Sequence, residues 1–420
     1  MYYFEKYNST VLLFAMILFS VSAIFVLRKK VSSLIDPLIF HMVWCASALA
    51  LLSGYFFTAG LSIDGLLFVS VYICYIGGLY MFLGIPKTSI VALESELNNS
   101  KNTKLFIVCL FLNLASRYEF FSYALSSPSL FEWFLYRFKQ FEGRSVPQYI
   151  LQLGARPFFL YYIFILLKTK PNWRPYLILL LIFNVLLDVV AGGRSSIISL
   201  LLAYGYFVHR FLPLFSKSTL RKLNRYGIFF VLFALVVGAT VTSLYKQDSN
   251  IQEGGLSIVN RLLAAGDGLE MYLVNNGSEN IESGIGEYIK SIFGIYIKRV
   301  VDIKTQSIGW KLYELENGVE MPFAVGPNYI LPLQAFVLGK FFIVPYSLFI
   351  SFLVAFLRGN YLTRRYLQSK PLSFVLGLTS FEPALDIELF VLVLIGCLSI
   401  YFIFILPVRK VNFSFKGKLN

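Results

Sequence analysis

The side chains with chemistry to offer are few, and they sit where charge is costly. Arg117 and Glu119 fall inside the apolar run 105–127, and Asp188 lies late in the run 175–191. An ionisable group at bilayer depth is a candidate for function by default. Directly after Asp188 comes Ala-Gly-Gly-Arg-Ser-Ser, residues 191–196. Gly192 and Gly193 permit a sharp turn and close backbone approach, which would present Arg194 at the membrane boundary. An arginine there has two uses: its planar, permanently charged fork can bind anionic oxygens bidentately, or it can snorkel to lipid headgroups. Arg117 likewise either binds an anion or pairs with Glu119.

Absences narrow the chemistry. There is no Gly-x-x-x-x-Gly-Lys-Ser/Thr phosphate loop, which argues against ATP-driven work by this chain alone. No Asp-x-Asp motif seats a nucleotide, and no His/Cys/Asp cluster has metal-ligand spacing. The two histidines, His41 and His209, fall at the opposite ends of their spans from Arg194. A general base near Arg194 would therefore be a carboxylate.

These residues must be positioned by membrane helices. Apolar residues make up 57% of the 420 and charged residues 14%, against about 25% in soluble domains. The mean hydropathy is +0.69, and there are 42 Phe and 27 Tyr. No aqueous globule hides that much apolar surface. A bilayer core of about 30 Å needs about 20 apolar residues per helix. Suitable runs are 10–27, 38–57, 65–85, 105–127, 146–167, 175–191, 195–212, 226–245, 335–357, 371–385 and 387–406. The expected fold is one all-α integral membrane domain, 1–420, with about eleven transmembrane helices (ten to twelve). The run 371–385 is short and bracketed by Pro371 and Pro383, so a re-entrant arm is its alternative. Cys45, Cys74, Cys109 and Cys397 all lie in apolar runs and read as packing residues, with no disulfide framework.

Alternate connections hold 22 of the 37 basic residues with only Asp36, Glu94 and Glu96 as acids. The positive-inside rule places those connections and the C-terminus in the cytoplasm and the N-terminus outside. The formal charge of +14 then reflects topology and headgroup attraction, with no nucleic acid required. Positive charge follows the first apolar run, the reverse of a signal peptide, so that run reads as an uncleaved anchor.

Two external segments are too long for turns. In 128–145, Phe131, Phe134, Leu135 and Phe138 recur at helical spacing, as in an amphipathic helix on the outer leaflet that anchors the chain or gates a lipid-linked substrate. The segment 246–328 carries 7 basic and 11 acidic residues over about 83 positions. Leu256, Val259, Leu262 and Leu263 flank Arg261, and Ile289, Ile292, Phe293, Tyr296, Val300 and Ile303 follow in helical steps. Short amphipathic helices over the membrane mouth are expected.

With many spans, a glycine–arginine turn and one large external loop in its second half, the chain resembles the bacterial O-antigen polymerases, the Wzy class of repeat-unit polymerases. Three local patterns carry the resemblance: Gly192-Gly193-Arg194-Ser195-Ser196, Arg261 followed by Gly266-Asp267, and Val325-Gly326-Pro327-Asn328. It implies a membrane glycosyltransferase of the bacterial inner membrane, serving lipopolysaccharide or capsule polysaccharide biosynthesis. Such an enzyme transfers a growing glycan from undecaprenyl diphosphate to a lipid-linked repeat unit on the periplasmic face. The sugar–diphosphate bond already carries the activation, so no cofactor is implied. The partners implied are the undecaprenyl-diphosphate-linked oligosaccharide, membrane lipid and a chain-length regulator.

On this resemblance Arg194 and Arg261 grip the departing diphosphate, with Arg117 or Arg299 in reserve. Asp267 orients or deprotonates the acceptor hydroxyl, and Asn328 hydrogen-bonds sugar or simply forms its turn. A lipid-linked oligosaccharide flippase is the reading from another class. It fits the long loop poorly, and no internal repeat is visible. A membrane acyltransferase would normally offer a histidine near its site, and both histidines lie on the cytoplasmic side. An O-antigen ligase shares the topology, but the ligase pattern has an external histidine that this chain lacks.

Overall fold

A computed structural model describes the chain except residues 1–2, 85–89, 128–131, 134–135, 137–145, 192, 194–195, 246–250, 298–306, 320–325, 360–369 and 411–420. Most of the described residues are helical, with no strand among them. After a short α1 (Tyr3–Lys6), Asn8 caps α2 (Ser9–Leu27) by accepting the Thr10 and Val11 N–H groups. Asp36 and Ser62 do the same for α3 (Pro37–Ala59) and α4 (Ile63–Phe82). Next come α5 (Ile90–Leu97), α6 (Asn102–Ala115), α7 (Tyr118–Ser126), α8 (Val146–Thr169), α9 (Arg174–Val190), α10 (Ser196–Arg210) and α11 (Lys217–Tyr245).

The chain is a multi-pass membrane protein. Among the described residues eight helical segments are long and apolar enough to cross, and α6 with α7 makes a ninth if their 42° bend lies within one span. Two of the eleven expected runs fall short. Helix α10 has 15 residues, about 22 Å at 1.5 Å each. The run 371–385 is broken into pieces of 9 and 4 residues, described below.

Buried surface identifies the centre. In α8 every residue from Phe158 to Leu166 is buried, so this helix is apolar on all sides and packs against α6, α9 and α10. It crosses the C-terminal α21 (Ile387–Ile400) at paired glycines: a Cβ on Gly154 would stand 2.4 Å from the Gly396 carbonyl oxygen. In contrast, α9 leaves Tyr176, Leu179 and Leu186 exposed and α2 leaves Phe14 and Val21 exposed, as lipid-facing helices do.

Between α11 and the next crossing lie α12 (Ile251–Leu263), α13 (Asp267–Val274), α14 (Gly277–Asn280), α15 (Ile285–Ile297) and α16 (Ile308–Asn317). The sequence pattern places them as a cover over the bundle, but α12 and α13 reach into it. Their junction, Ala264–Gly266, packs on the middle of α3, where a Cβ on Gly266 would meet the Ala48 backbone at 3.1 Å. Only small residues let two backbones approach so closely.

Helix α17 (Leu331–Leu338) is buried from Leu331 to Val337, and α18 (Ile343–Arg358) returns across the bundle. A broken arm follows, α19 (Lys370–Leu378) and α20 (Glu382–Leu385), and α21 continues through a π turn into α22 (Leu406–Lys410).

Ion pairs define two ends. At the basic end Arg358 pairs with Asp36, and Arg210 binds Glu96 at 3.2 Å and Ser373 Oγ at 3.1 Å. His41, on the turn of α3 above Asp36, hydrogen-bonds Tyr75 at 2.8 Å and stacks on Phe381. At the loop end Lys340 pairs with Asp64 at 2.5 Å beside the Ser62 cap. The four cysteines are free thiols, Cys45, Cys109 and Cys397 fully buried among apolar neighbours.

Candidate functional site

A cavity lined by two arginines opens where α6 bends into α7. Helix α6 stops at Ala115, and the Ser116 hydroxyl turns back to donate to the Asn113 carbonyl at 2.7 Å. The bend carries Arg117 towards α9. There Asn184 and Asp188, one helical turn apart, share a face. Arg117 Nη2 donates to Asn184 Oδ1 at 2.8 Å and meets Asp188 Oδ1 at 2.7 Å. From α8, Arg156 Nη2 comes within 2.9 Å of Asp188 Oδ2. Two guanidinium groups from different helices therefore converge on one carboxylate.

The cavity around them measures about 160 Å³. That is an order of magnitude above the ~15 Å³ that one water needs. Asn113, Ser116 and Gln152 add polar lining, and Phe120 and Tyr136 form an aromatic wall with ring centroids 5.3 Å apart. Tyr136 belongs to the segment 128–145, most of which, including Phe131, Phe134, Leu135 and Phe138, lies outside the described residues. The Gly193 N–H donates to the Asp188 carbonyl at 2.7 Å, so the glycine turn closes directly onto the helix that carries the cavity's acid. A side chain on Gly193 would collide with that same carbonyl.

Arg156 is absent from the sequence reading, although the rule that singles out Arg117 and Asp188 applies to it equally. It sits inside the run 146–167 beside Pro157, and a single charge does not interrupt such a run. Arg117 takes Asn184 and Asp188 as partners, not Glu119 two residues on in the chain.

The other expected residues divide. Arg194 and Arg299 lie outside the described residues. Asp267 opens α13 at the junction buried against α3, where the Tyr3 hydroxyl donates to it. The Tyr3 N–H also donates to Asn260 Oδ1 at 2.7 Å. One turn on, Glu270 accepts from Tyr7 at 2.6 Å and pairs with Lys6. Burial pushes the Asp267 carboxyl up to about 6, with Glu270 adding to the rise, while the Tyr3 hydrogen bond, Arg261 and Lys6 oppose it. Arg261 itself is exposed on α12.

Two of the three sequence patterns meet. A Cβ on Gly268, next to Asp267, would touch the Pro327 side chain at 3.4 Å, and Gly326, at φ +129°, packs over the Gly309 carbonyl. Asn328 is exposed at the turn, its carbonyl accepting the Ile330 N–H at 2.9 Å. Tyr329 and Gln334 anchor this turn: the Gln334 amide donates to the Tyr329 carbonyl at 2.5 Å and accepts from Tyr346 at 2.7 Å. Among the described residues no hydrogen bond or ion pair joins the Arg117–Arg156 cavity to the Asp267 cluster. Nor do three His, Cys, Asp or Glu side chains among them come close enough to hold a metal ion.

No family model matches the chain, no curated protein is similar to it, and no solved structure shares its fold at a significant level.

Proposed function

We propose that this protein is a membrane glycosyltransferase that polymerises lipid-linked oligosaccharide repeat units, drawing on a polyprenyl-diphosphate donor. The observation that carries this reading is the cavity in which Arg117 and Arg156 converge on Asp188. Two fixed cations face one anion in an apolar bundle, and the arrangement suits a ligand that brings negative charge. The donor's diphosphate has that charge, and more of it develops as the sugar leaves. Preorganised cations aimed at such charge contribute several kcal/mol in a site with little water. Arg194, six residues after Asp188 in the sequence, would add to the grip on this reading. Asp267, with its carboxyl titrating near 6, suits a base that is ionised at neutral pH.

On this reading the chain crosses the bacterial inner membrane eleven times, with α10 and the broken α19–α20 arm as the short crossings. The loop end and the N-terminus are periplasmic and the C-terminus is cytoplasmic. Undecaprenyl-diphosphate-linked repeat units are the substrate, and a chain-length regulator is the expected protein partner. Transport by the same chain would need a path through the basic end. There Asp36, Arg358, Arg210 and Glu96 pair with one another in full burial, which favours chemistry at one face.

The test is reconstitution. Purified protein in lipid receives undecaprenyl-diphosphate-linked repeat units from its own host, with no nucleotide and excess chelator, and products are resolved by size. A ladder is expected, and it collapses in Arg156→Gln. If folded protein supplied with metal and candidate partners makes no ladder, polymerisation is wrong, and flipping or ligation of the same lipid-linked substrate becomes the better account.

A further inference from the structure

The cavity holds more donors than its own acid can use. Arg117 and Arg156 offer five N–H groups each. Among the described residues, Arg117 spends only its Nη2 on Asn184 and Asp188, and Arg156 meets only Asp188. The Arg156 contact, though 2.9 Å long, leaves Asp188 Oδ2 without a properly directed hydrogen bond. It is a charge contact that a better-aligned acceptor would outcompete. Asn113 adds a further observation. Its side chain is 1% exposed, lines the same cavity, and its Nδ2 has no partner. A buried amide donor left unsatisfied is costly unless something else fills the role. Charge and orphan donor thus call for an oxyanion with several acceptor oxygens.

Asp188 stands between the two guanidinium groups, in the place such an oxyanion would take. We infer that Asp188 is a resident counter-ion: it neutralises the arginine pair while the cavity is empty and competes with the diphosphate when the cavity fills. This rests on the reading of the cavity as a diphosphate site. The arrangement has a kinetic use. Two arginines and an amide with no internal competitor would hold the leaving diphosphate too long, and Asp188 supplies the anion that displaces it. The role is specific to charge, because the shape of the side chain is not what competes.

The experiment measures the Kd of farnesyl diphosphate for the full-length protein in nanodiscs, with inorganic pyrophosphate in a parallel arm. Asp188→Asn is expected to tighten farnesyl diphosphate about tenfold and to slow its dissociation, whereas Asp188→Glu, which keeps the charge, stays within about threefold of wild type. Arg156→Gln weakens binding about tenfold, and the gain from Asp188→Asn shrinks in that background. Should Asp188→Asn be poorly folded, Asp188→Ser takes its place with the same expectation. Binding unchanged or weaker in a folded, charge-removing variant overturns the counter-ion role, even if Arg156→Gln still weakens it and the diphosphate site stands. No response to Arg156→Gln, Arg117→Gln or the Asp188 variants removes the diphosphate site itself. Equal gains for pyrophosphate and farnesyl diphosphate assign the effect to the phosphate group. A gain confined to the farnesyl compound assigns it to a lipid-borne headgroup.

Discussion

Two ion-paired clusters sit at opposite ends of the bundle and are built from the same residue types, yet they differ in charge balance and in exposure. At the basic end Asp36 takes Arg358, the Ser32 N–H and hydroxyl, and the Leu38 N–H, with His209 Nδ1 at 3.5 Å. Glu96 takes Arg210 and the Tyr161 hydroxyl, the latter at 2.6 Å. All four charged side chains there are no more than 5% exposed, and positive and negative charges balance. At the loop end two arginines share one aspartate and the Arg156 side chain is 30% exposed. Among the described residues, buried donors without a partner occur at both ends, Asn113 Nδ2 here and Arg358 Nη1 and Arg210 Nε at the basic end, so the difference lies in charge balance and access. A charge-balanced, closed cluster joins helices. On the proposed reading, the charge-unbalanced, open one takes a ligand.

That contrast is broken or kept most directly by charge removal at each end. Arg358→Gln leaves Asp36 buried without its counter-charge, and losing one partner of a buried pair costs about 3–5 kcal/mol. The expected outcome is a large fall in the midpoint of thermal unfolding and in the yield of monodisperse protein. Arg156→Gln should move that midpoint little while reducing polymer formation about 10²–10³-fold, as loss of one donor to developing charge does. If the two variants fall equally in stability, the loop-end cluster is a staple like the other, and the functional reading of it fails.

A smaller effect sharpens the same point. Arg117→Lys and Arg156→Lys keep the charge and lose the planar fork. Each forfeits one aligned bond to an ion, about 1.5–3 kcal/mol, which is on the order of ten- to a hundredfold in turnover. Measured rates of the Lys variants should fall between wild type and Gln. Lys equal to wild type would mean that a point charge suffices and that no bidentate contact to phosphate exists.

What could be read in advance follows from which properties are local. Hydropathy is local, so the helical, multi-pass character is visible in runs such as 38–57 and 65–85, and the matching helices Pro37–Ala59 and Ile63–Phe82 are there. Charge in an apolar run is also local, which is why Arg117 and Asp188 stood out. Their pairing was not visible, because it joins α6 and α9 through a 42° bend that only packing imposes. Glu119 was the nearer partner along the chain and the wrong one in space. The dip of α12 and α13 was hidden for a related reason. The amphipathic pattern around Arg261 reads as a surface helix, and only the small residues Ala264-Ala265-Gly266 hint that their junction meets another backbone at Ala48.

The smallest predicted effect concerns the Asp267 cluster, where the N-terminal helix covers the proposed base. The Tyr3 hydroxyl donates to the Asp267 carboxylate and stabilises its ionised form, opposing the burial that holds the carboxyl near 6. If Asp267 acts as a base, activity rises with pH through about 6 as the carboxyl ionises. Tyr3→Phe removes the donor, so the acid limb moves to higher pH while the rate well above it changes little. Linkage predicts the opposite slope for stability. A carboxyl whose folded-state value lies above its unfolded one contributes stability that is present below the unfolded value and lost as pH rises through about 6. Activity and stability should therefore cross in this window, and Tyr3→Phe should carry the crossing upward. An acid limb that ignores Tyr3→Phe would detach Asp267 from the reaction, leave the N-terminal helix as packing alone, and reduce the site to the arginine cavity.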